Sequence, residues 1–160
     1  MINNSNSKKG FTIIEVVLVL AIAGLIFLMV FIALPALRRS TNDTQRRSDA
    51  STFMSQMTQY QTNNRGQVVG SALGLAAFLT DYMKQTPLPG TPTEFVDPKS
   101  GTNYAVTYIN TAPTTVGSMS YRNNYVCSGE AMTATGATAR SAALLVKLEG
   151  SGIFCVDNQD

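Results

Sequence analysis

The sequence predicts an α+β protein. A long N-terminal α-helix, membrane-spanning in its first half and amphipathic in its second, packs on a small antiparallel β-sheet of about four strands. Three observations lead to this. The run from Phe11 to Leu37 is apolar and carries one charge, Glu15; as a helix it extends ~40 Å, enough to cross a bilayer core of ~30 Å with some tilt. Behind it, Ala50, Phe53, Met54, Met57 and Tyr60 recur at helical spacing, the one-sided stripe of a helix that needs covering. From Glu94 onward the pattern changes to short alternating segments divided by turn residues, as strands require.

Residues 1–10 are polar, rich in Asn and Ser, and end in Lys8-Lys9-Gly10. The apolar run follows at Phe11. Within it Gly24 and Pro35 are the flexible points, and Pro35 removes a helical hydrogen bond and should bend the chain. Lys8 and Lys9 on one side and Arg38 and Arg39 on the other nearly balance, so charge alone does not orient the segment. Residues 38–64 read as the amphipathic continuation of the helix, with Asp43 placed to pair with Arg46 or Arg47. The four arginines Arg38, Arg39, Arg46 and Arg47 read as a solvated face, or as contacts to lipid headgroups or an acidic neighbour.

Asn63 to Gly66 breaks the helix. Gly66, Gly70 and Gly74 keep a GxxxGxxxG spacing, but outside an apolar span, so a membrane-dimer motif is excluded. A short helix is expected from Gly70-Ser71 to Lys84, burying Leu75, Phe78, Leu79 and Tyr82, followed by a rigid loop with Pro87, Pro89, Gly90 and Pro92. Asp97 to Gly101 is a turn. Strands are expected at Tyr104–Ile109, Ser118–Cys127, Ala142–Leu148 and Ile153–Val156, the last two joined by a turn at Glu149–Gly152. Residues 128–141, rich in Gly, Ala and Thr, read as an exposed loop. Tyr121 and Tyr125 read as an exposed strand pair rather than a base-stacking surface.

Composition narrows function. The chain has 160 residues, 12 Lys+Arg against 10 Asp+Glu and no His. A formal charge of +2 does not describe a nucleic-acid binder, and the missing His removes the commonest general base and metal ligand. There is no CxxC, no phosphate-binding or dinucleotide glycine pattern, and no carboxylate cluster spaced as a metal site. The expectation is no enzyme, no cofactor and no metal. Cys127 and Cys155 leave two readings open, a disulfide if this part of the chain is extracytoplasmic, or two buried thiols.

A charge inside a membrane-length run is costly and usually functional, and a plain anchor has no use for Glu15. A secretory signal peptide has a shorter apolar core, of ~7–15 residues, with a small-residue cleavage site after it. The segment Lys8, Lys9, Gly10, Phe11, Thr12, Ile13, Ile14, Glu15 and the apolar run behind it resemble, without a gap, the N-terminus of type IV prepilins and type II secretion pseudopilins. The detailed likeness covers about thirty residues. It implies a pilin fold, with 1–10 a cleaved leader peptide, 11–37 the transmembrane and assembly helix, 38–64 its amphipathic continuation and 65–160 the globular head. It implies that prepilin peptidase cuts between Gly10 and Phe11 and methylates the new amine, with Lys8 and Lys9 holding the leader at the cytoplasmic face. Glu15 would then pair with the Phe11 amine of a neighbouring copy and set the register of a homopolymer. Gly24 matches the family's mid-helix glycine, whereas Pro35 falls about one turn later than the family's proline, which lies near Ile32. The resemblance also implies one disulfide between Cys127 and Cys155.

The function so implied is a structural subunit of a type IV pilus-like surface filament serving adhesion or twitching motility. It would be raised from the cytoplasmic membrane by an assembly platform and its ATPase, with nucleic acid not expected as a partner. The alternatives are a minor pilin or pseudopilin of a secretion or DNA-uptake machine, and a membrane-anchored extracytoplasmic binding domain.

Overall fold

The computed structural model describes residues 10–85, 94–150 and 152–159. Lys8, Lys9, the proline-rich loop at Pro87, Pro89, Gly90 and Pro92, and Ser151 of the last turn lie outside the described residues. The chain divides into two compact units, one ending at Arg38 and the other beginning at Arg39.

Helix α1 runs from Ile13 to Asn63. In the first unit its large side chains are exposed: Phe31 is 72 % and Met29 71 % exposed. Gly24 and Pro35 both lie inside the helix, which continues through the proline although its ring nitrogen cannot donate to the preceding turn.

The second unit contains the rest of α1, helix α2 (Ala72–Asp81) and six strands: β1 (Ala105–Tyr108), β2 (Ser118–Asn123), β3 (Val126–Ser128), β4 (Ala131–Thr133), β5 (Ala142–Lys147) and β6 (Ile153–Asp157). Four of them form one sheet in the order β1-β2-β5-β6. This is the α+β pilin-type arrangement of a long helix on a small sheet. The expected antiparallel sheet needs one correction. β2–β5 and β5–β6 are antiparallel, but β1 pairs with β2 in parallel, Val106 opposite Met119, so the sheet is mixed. The segment between β1 and β2 returns the chain to its starting end, with Gly117 at φ +82°. Alternation in sequence marks a strand but not its direction.

Ser71 caps α2, its hydroxyl accepting from the Gly74 N–H at 3.0 Å. The helix stops at Asp81, short of the expected Lys84, which sits at φ +51°. Ala50, Phe53, Met54 and Met57 of α1 meet Leu75 and Phe78 of α2 and Met119, Tyr121, Leu144 and Val146 of the sheet in one core. Phe53 lies at its centre, 5.1 Å from the Phe78 ring and 5.6 Å from that of Tyr121. Tyr121 is therefore a core residue rather than an exposed one, and its hydroxyl donates to the Val69 carbonyl at 3.0 Å.

The expected strand Ser118–Cys127 is broken at Asn124, φ +58°, into β2 and β3. The expected exposed loop at 128–141 is also partly structured. β4 pairs with β3 as a hairpin, and Met132 is buried against Ala143 and Leu145. A disulfide joins Cys127 of β3 to Cys155 of β6 across a separation of 28 residues. Closing a loop of that size stabilises the fold by ~3.5 kcal/mol in the chain-entropy account.

Arg46 is a further correction. It is fully buried, not on a solvated face, because it lies on the same side of α1 as Ala50, Phe53 and Met57. Its Nε donates to Asp97 Oδ1 at 2.6 Å, Nη1 to Asp43 Oδ1 at 3.1 Å and Nη2 to Glu149 Oε1 at 3.4 Å. Asp43 accepts in turn from the main-chain N–H groups of Glu149 and Gly150, and Asp97 from those of Lys99 and Ser100. Truncation as Arg46→Ala strands these buried carboxylates and is expected to cost about 3–5 kcal/mol in denaturant unfolding.

The same network sets the response to acid. Burial alone would raise all three carboxylates. It is outweighed at Asp43 by the N–H groups of Glu149 and Gly150, at Asp97 by Arg46, and at Glu149 by Lys99, so each sits below its usual range. A carboxylate depressed in the folded state binds fewer protons there than when unfolded. Its contribution is present at neutral pH and lost as pH falls below ~4 through the folded values. Thermal unfolding followed from pH 7 to pH 2 is expected to show this loss, and Arg46→Leu, Asp97→Asn to show a flatter profile.

Candidate functional site

The residues singled out at the N-terminus fall at the first turn of α1. Gly10 and Phe11 precede the helix, and Phe11 is 89 % exposed. A side chain added at Gly10 would meet nothing within 4 Å among the described residues. Thr12 is the helix cap. Its hydroxyl donates to Glu15 Oε2 at 2.8 Å and its main-chain N–H to the same oxygen at 2.9 Å, while the Glu15 N–H points back at the threonine hydroxyl at 3.4 Å. This is a reciprocal capping box, the T-x-x-E pattern in which two otherwise unsatisfied helix-end donors are met. The pattern was readable in the sequence, but its threonine was assigned no role there.

The chemical consequence concerns the charge. A carboxylate in a low-dielectric surrounding is costly unless hydrogen-bonded or paired. Thr12 supplies two donors and lowers that cost without cancelling the charge. Both contacts fall on Oε2, and among the described residues no hydrogen bond falls on Oε1. The site can therefore accept a cation while keeping its local bonds.

The remaining residues are structural in placement. Gly24 and Pro35 are interior positions of α1, and Cys127 and Cys155 are joined to each other. Among the described residues no group of three or more His, Cys, Asp or Glu side chains is placed to hold a metal. Sequence reasoning placed Asp43 to pair with Arg46, as it does, but missed the burial of Arg46 and its partners Asp97 and Glu149. The available signal was the spacing of 46, 50, 53 and 57, which puts the arginine on the apolar stripe.

Residues 5–31 match the family described as the prokaryotic N-terminal methylation motif. No curated protein and no solved structure matches the chain. The motif is the signal by which prepilin peptidase recognises subunits that assemble into type IV pili or pseudopili, a family of structural subunits rather than enzymes. The matched segment contains the capped turn described above and most of the exposed apolar helix that follows it. The chain thus bears, at residues 5–31, the N-terminal methylation signal of type IV pilins and pseudopilins.

Proposed function

We propose that this protein is the structural subunit of a type IV pilus-like surface filament. Prepilin peptidase removes residues 1–10 after Gly10 and methylates the Phe11 amine. The processed chain waits in the cytoplasmic membrane as a single-pass protein until an assembly platform and its ATPase add it to a growing homopolymer. The observation that carries this reading is Glu15, a carboxylate bonded through one oxygen to Thr12 at the head of an apolar helix whose large side chains are exposed among the described residues. Lipid can cover the apolar side chains but not satisfy the charge, whereas a bundle of copies does both, the amine of one meeting the carboxylate of the next. Such a contact is heterologous and does not close, so it propagates as a fibre. The ion pair contributes register more than net stability.

The second half of α1 supports the same reading. Thr44, Ser48, Ser51, Ser55, Thr58 and Thr62 recur every three or four residues and are all exposed. The hydroxyls of Thr44, Ser51, Ser55, Thr58 and Thr62 donate to carbonyls one turn earlier. The result is a low face with its polar groups already satisfied, against which another helix can approach closely. The disulfide at the C-terminal end favours a pilus subunit over a pseudopilin, and the head would serve adhesion or twitching motility from the outer surface of the filament.

The direct test is intact mass and N-terminal sequencing of protein sheared from its native cells. A chain starting at N-methylated Phe11 is expected, and Glu15→Leu is expected to be processed normally yet give no filaments. A sheared protein still carrying Met1 to Gly10, or filaments indifferent to Glu15, overturns the reading in favour of an anchored domain. A bulky residue on the hydroxyl face, Ser55→Trp, is expected to lower filament yield about tenfold or more, equivalent to ~1.4 kcal/mol per contact. Ser55 is exposed, so the head should stay folded, with a stability change small beside that of a core substitution.

A further inference from the structure

The four-stranded sheet ends in two edges, β1 and β6. On the β6 side the bonds from the Asn158 N–H to the Ala142 carbonyl and from the Leu148 N–H to the Gly152 carbonyl fix the phase of the ladder. Phe154 and Val156 therefore turn their main-chain groups toward β5, and Ile153 and Cys155 turn theirs away from the sheet. On the other side the Ala105 and Ile109 N–H groups donate to the carbonyls of Gly117 and Tyr121, so the main-chain groups of Val106 and Tyr108 point outward. No hydrogen bond between described residues uses these outward groups of Val106, Tyr108, Ile153 or Cys155. Asp157 closes the β6 edge at its end: it is buried, and its carboxylate accepts from the Cys127 N–H at 2.6 Å.

An unpaired strand edge is a template for another chain. The order of the sheet indicates which. β1 is parallel to β2, while β2–β5 and β5–β6 are antiparallel, so β1 and β6 run in the same direction. A second copy in the same orientation meets β6 with its own β1 as a parallel ladder, Val106 seated between Ile153 and Cys155. The contact joins different surfaces of the two copies, so it repeats rather than closes. Two β6 edges could meet only about a two-fold axis, which closes as a dimer and leaves β1 unused.

The helices match the edges. α1 and α2 pack on the same face of the sheet. Beside β6 a groove of about 270 Å³ is lined by Ser51, Met54 and Ser55 of α1 and Val156 of β6, among others. Its serine hydroxyls are bonded to their own helix, and Met54 and Val156 give it an apolar part. Beside β1, helix α2 leaves Ala72, Leu73, Ala76 and Ala77 exposed, with no charge among them. Leu73 is 86 % exposed, whereas Ile109 and Val116 of the same unit are 38 % and 37 %. Pairing β1 of one copy with β6 of the next sets this uncharged helix face beside the groove, where Leu73 leaves water.

We propose, resting on the filament reading, that the heads of neighbouring copies join edge to edge, β1 of one adding in parallel to β6 of the next and Leu73 entering the groove between α1 and β6. The test compares hydrogen exchange in sheared filaments with that of the full processed chain in detergent micelles. The Val106 and Cys155 amides are expected to exchange fast in micelles and about tenfold or more slower in filaments. Leu73→Glu is expected to leave processing and the unfolding midpoint in micelles unchanged, yet lower filament yield about tenfold. In filaments carrying both Ser55→Cys and Leu73→Cys, a short bismaleimide should give a ladder of multimers, and neither substitution alone should do so. Filaments that need Glu15 but give no ladder, or whose Val106 and Cys155 amides exchange as fast as in micelles, overturn the edge contact and leave the filament reading standing. Amides already slow in micelles show edges covered within the chain and overturn it too, as does cross-linking through Ser55→Cys alone, which sets two β6 edges together. Native cells that yield no sheared filaments of this protein overturn the filament reading and this contact with it.

Discussion

A guanidinium taken out of water loses several kcal/mol of solvation, recovered only if its donors meet acceptors in good geometry. In this head that requirement is met by carboxylates from three separate stretches of chain: Asp43 one turn back on α1, Asp97 in the turn before β1, and Glu149 in the turn between β5 and β6. The apolar stripe of α1 tolerates small rotations against the sheet, since burial has no direction. The hydrogen bonds of Arg46 do have direction. Asp43 extends the clamp by accepting from the N–H groups of Glu149 and Gly150, so the β5–β6 turn is held by backbone as well as side chain. Two loops are thereby set at fixed positions along the helix. Around them the core of Phe53, Phe78, Tyr121 and Leu144 closes.

What was legible in the sequence follows from which physical signals repeat. The stripe Ala50, Phe53, Met54, Met57 and Tyr60 repeats at the helical period; the first four are buried where that period places them and Tyr60 is half-buried against the same core. Ser71 announces α2 because a hydroxyl before an apolar run satisfies a helix end. Glu15 stood out because a charge in an apolar run has no neutral explanation. The failures are equally specific. Arg46 shares the stripe's period, but the rule that charges face water outweighed its position. Tyr121 belongs inside because a single carbonyl, that of Val69, takes its hydroxyl, and that partner lies 52 residues away. β3 and β4 are three residues each, too short to alternate visibly, and their pairing is reinforced by a disulfide to a third strand. The parallel β1–β2 pair is set by a connection whose path no periodicity encodes.

Helix α1 is one continuous element with two different solvation problems. From Val16 to Leu34 the side chains are apolar on every face and the large ones are exposed. Beyond Arg39 one face is closed by the sheet and an exposed neighbouring face presents hydroxyls bonded to their own backbone. Only the first stretch demands a partner; the second merely permits one. A protein using the apolar stretch solely as an anchor would be complete once in lipid, and the capped carboxylate at its head would remain an uncompensated cost.

Thr12 bears on that cost. By donating twice to one carboxylate oxygen it makes the charge tolerable for a chain held alone in lipid, and by bonding to that oxygen only it does not consume the charge. Deeper satisfaction, such as an internal ion pair, would make the isolated chain stable and remove the reason to associate. No donor at all would drive the carboxylate to take up a proton and lose its attraction for an amine. Under the filament reading, a single threonine hydroxyl holds Glu15 between these limits, and the gain on assembly is the difference between two hydrogen bonds and two hydrogen bonds with a cation. That difference is modest, which suits a subunit that must remain in the membrane until it is moved.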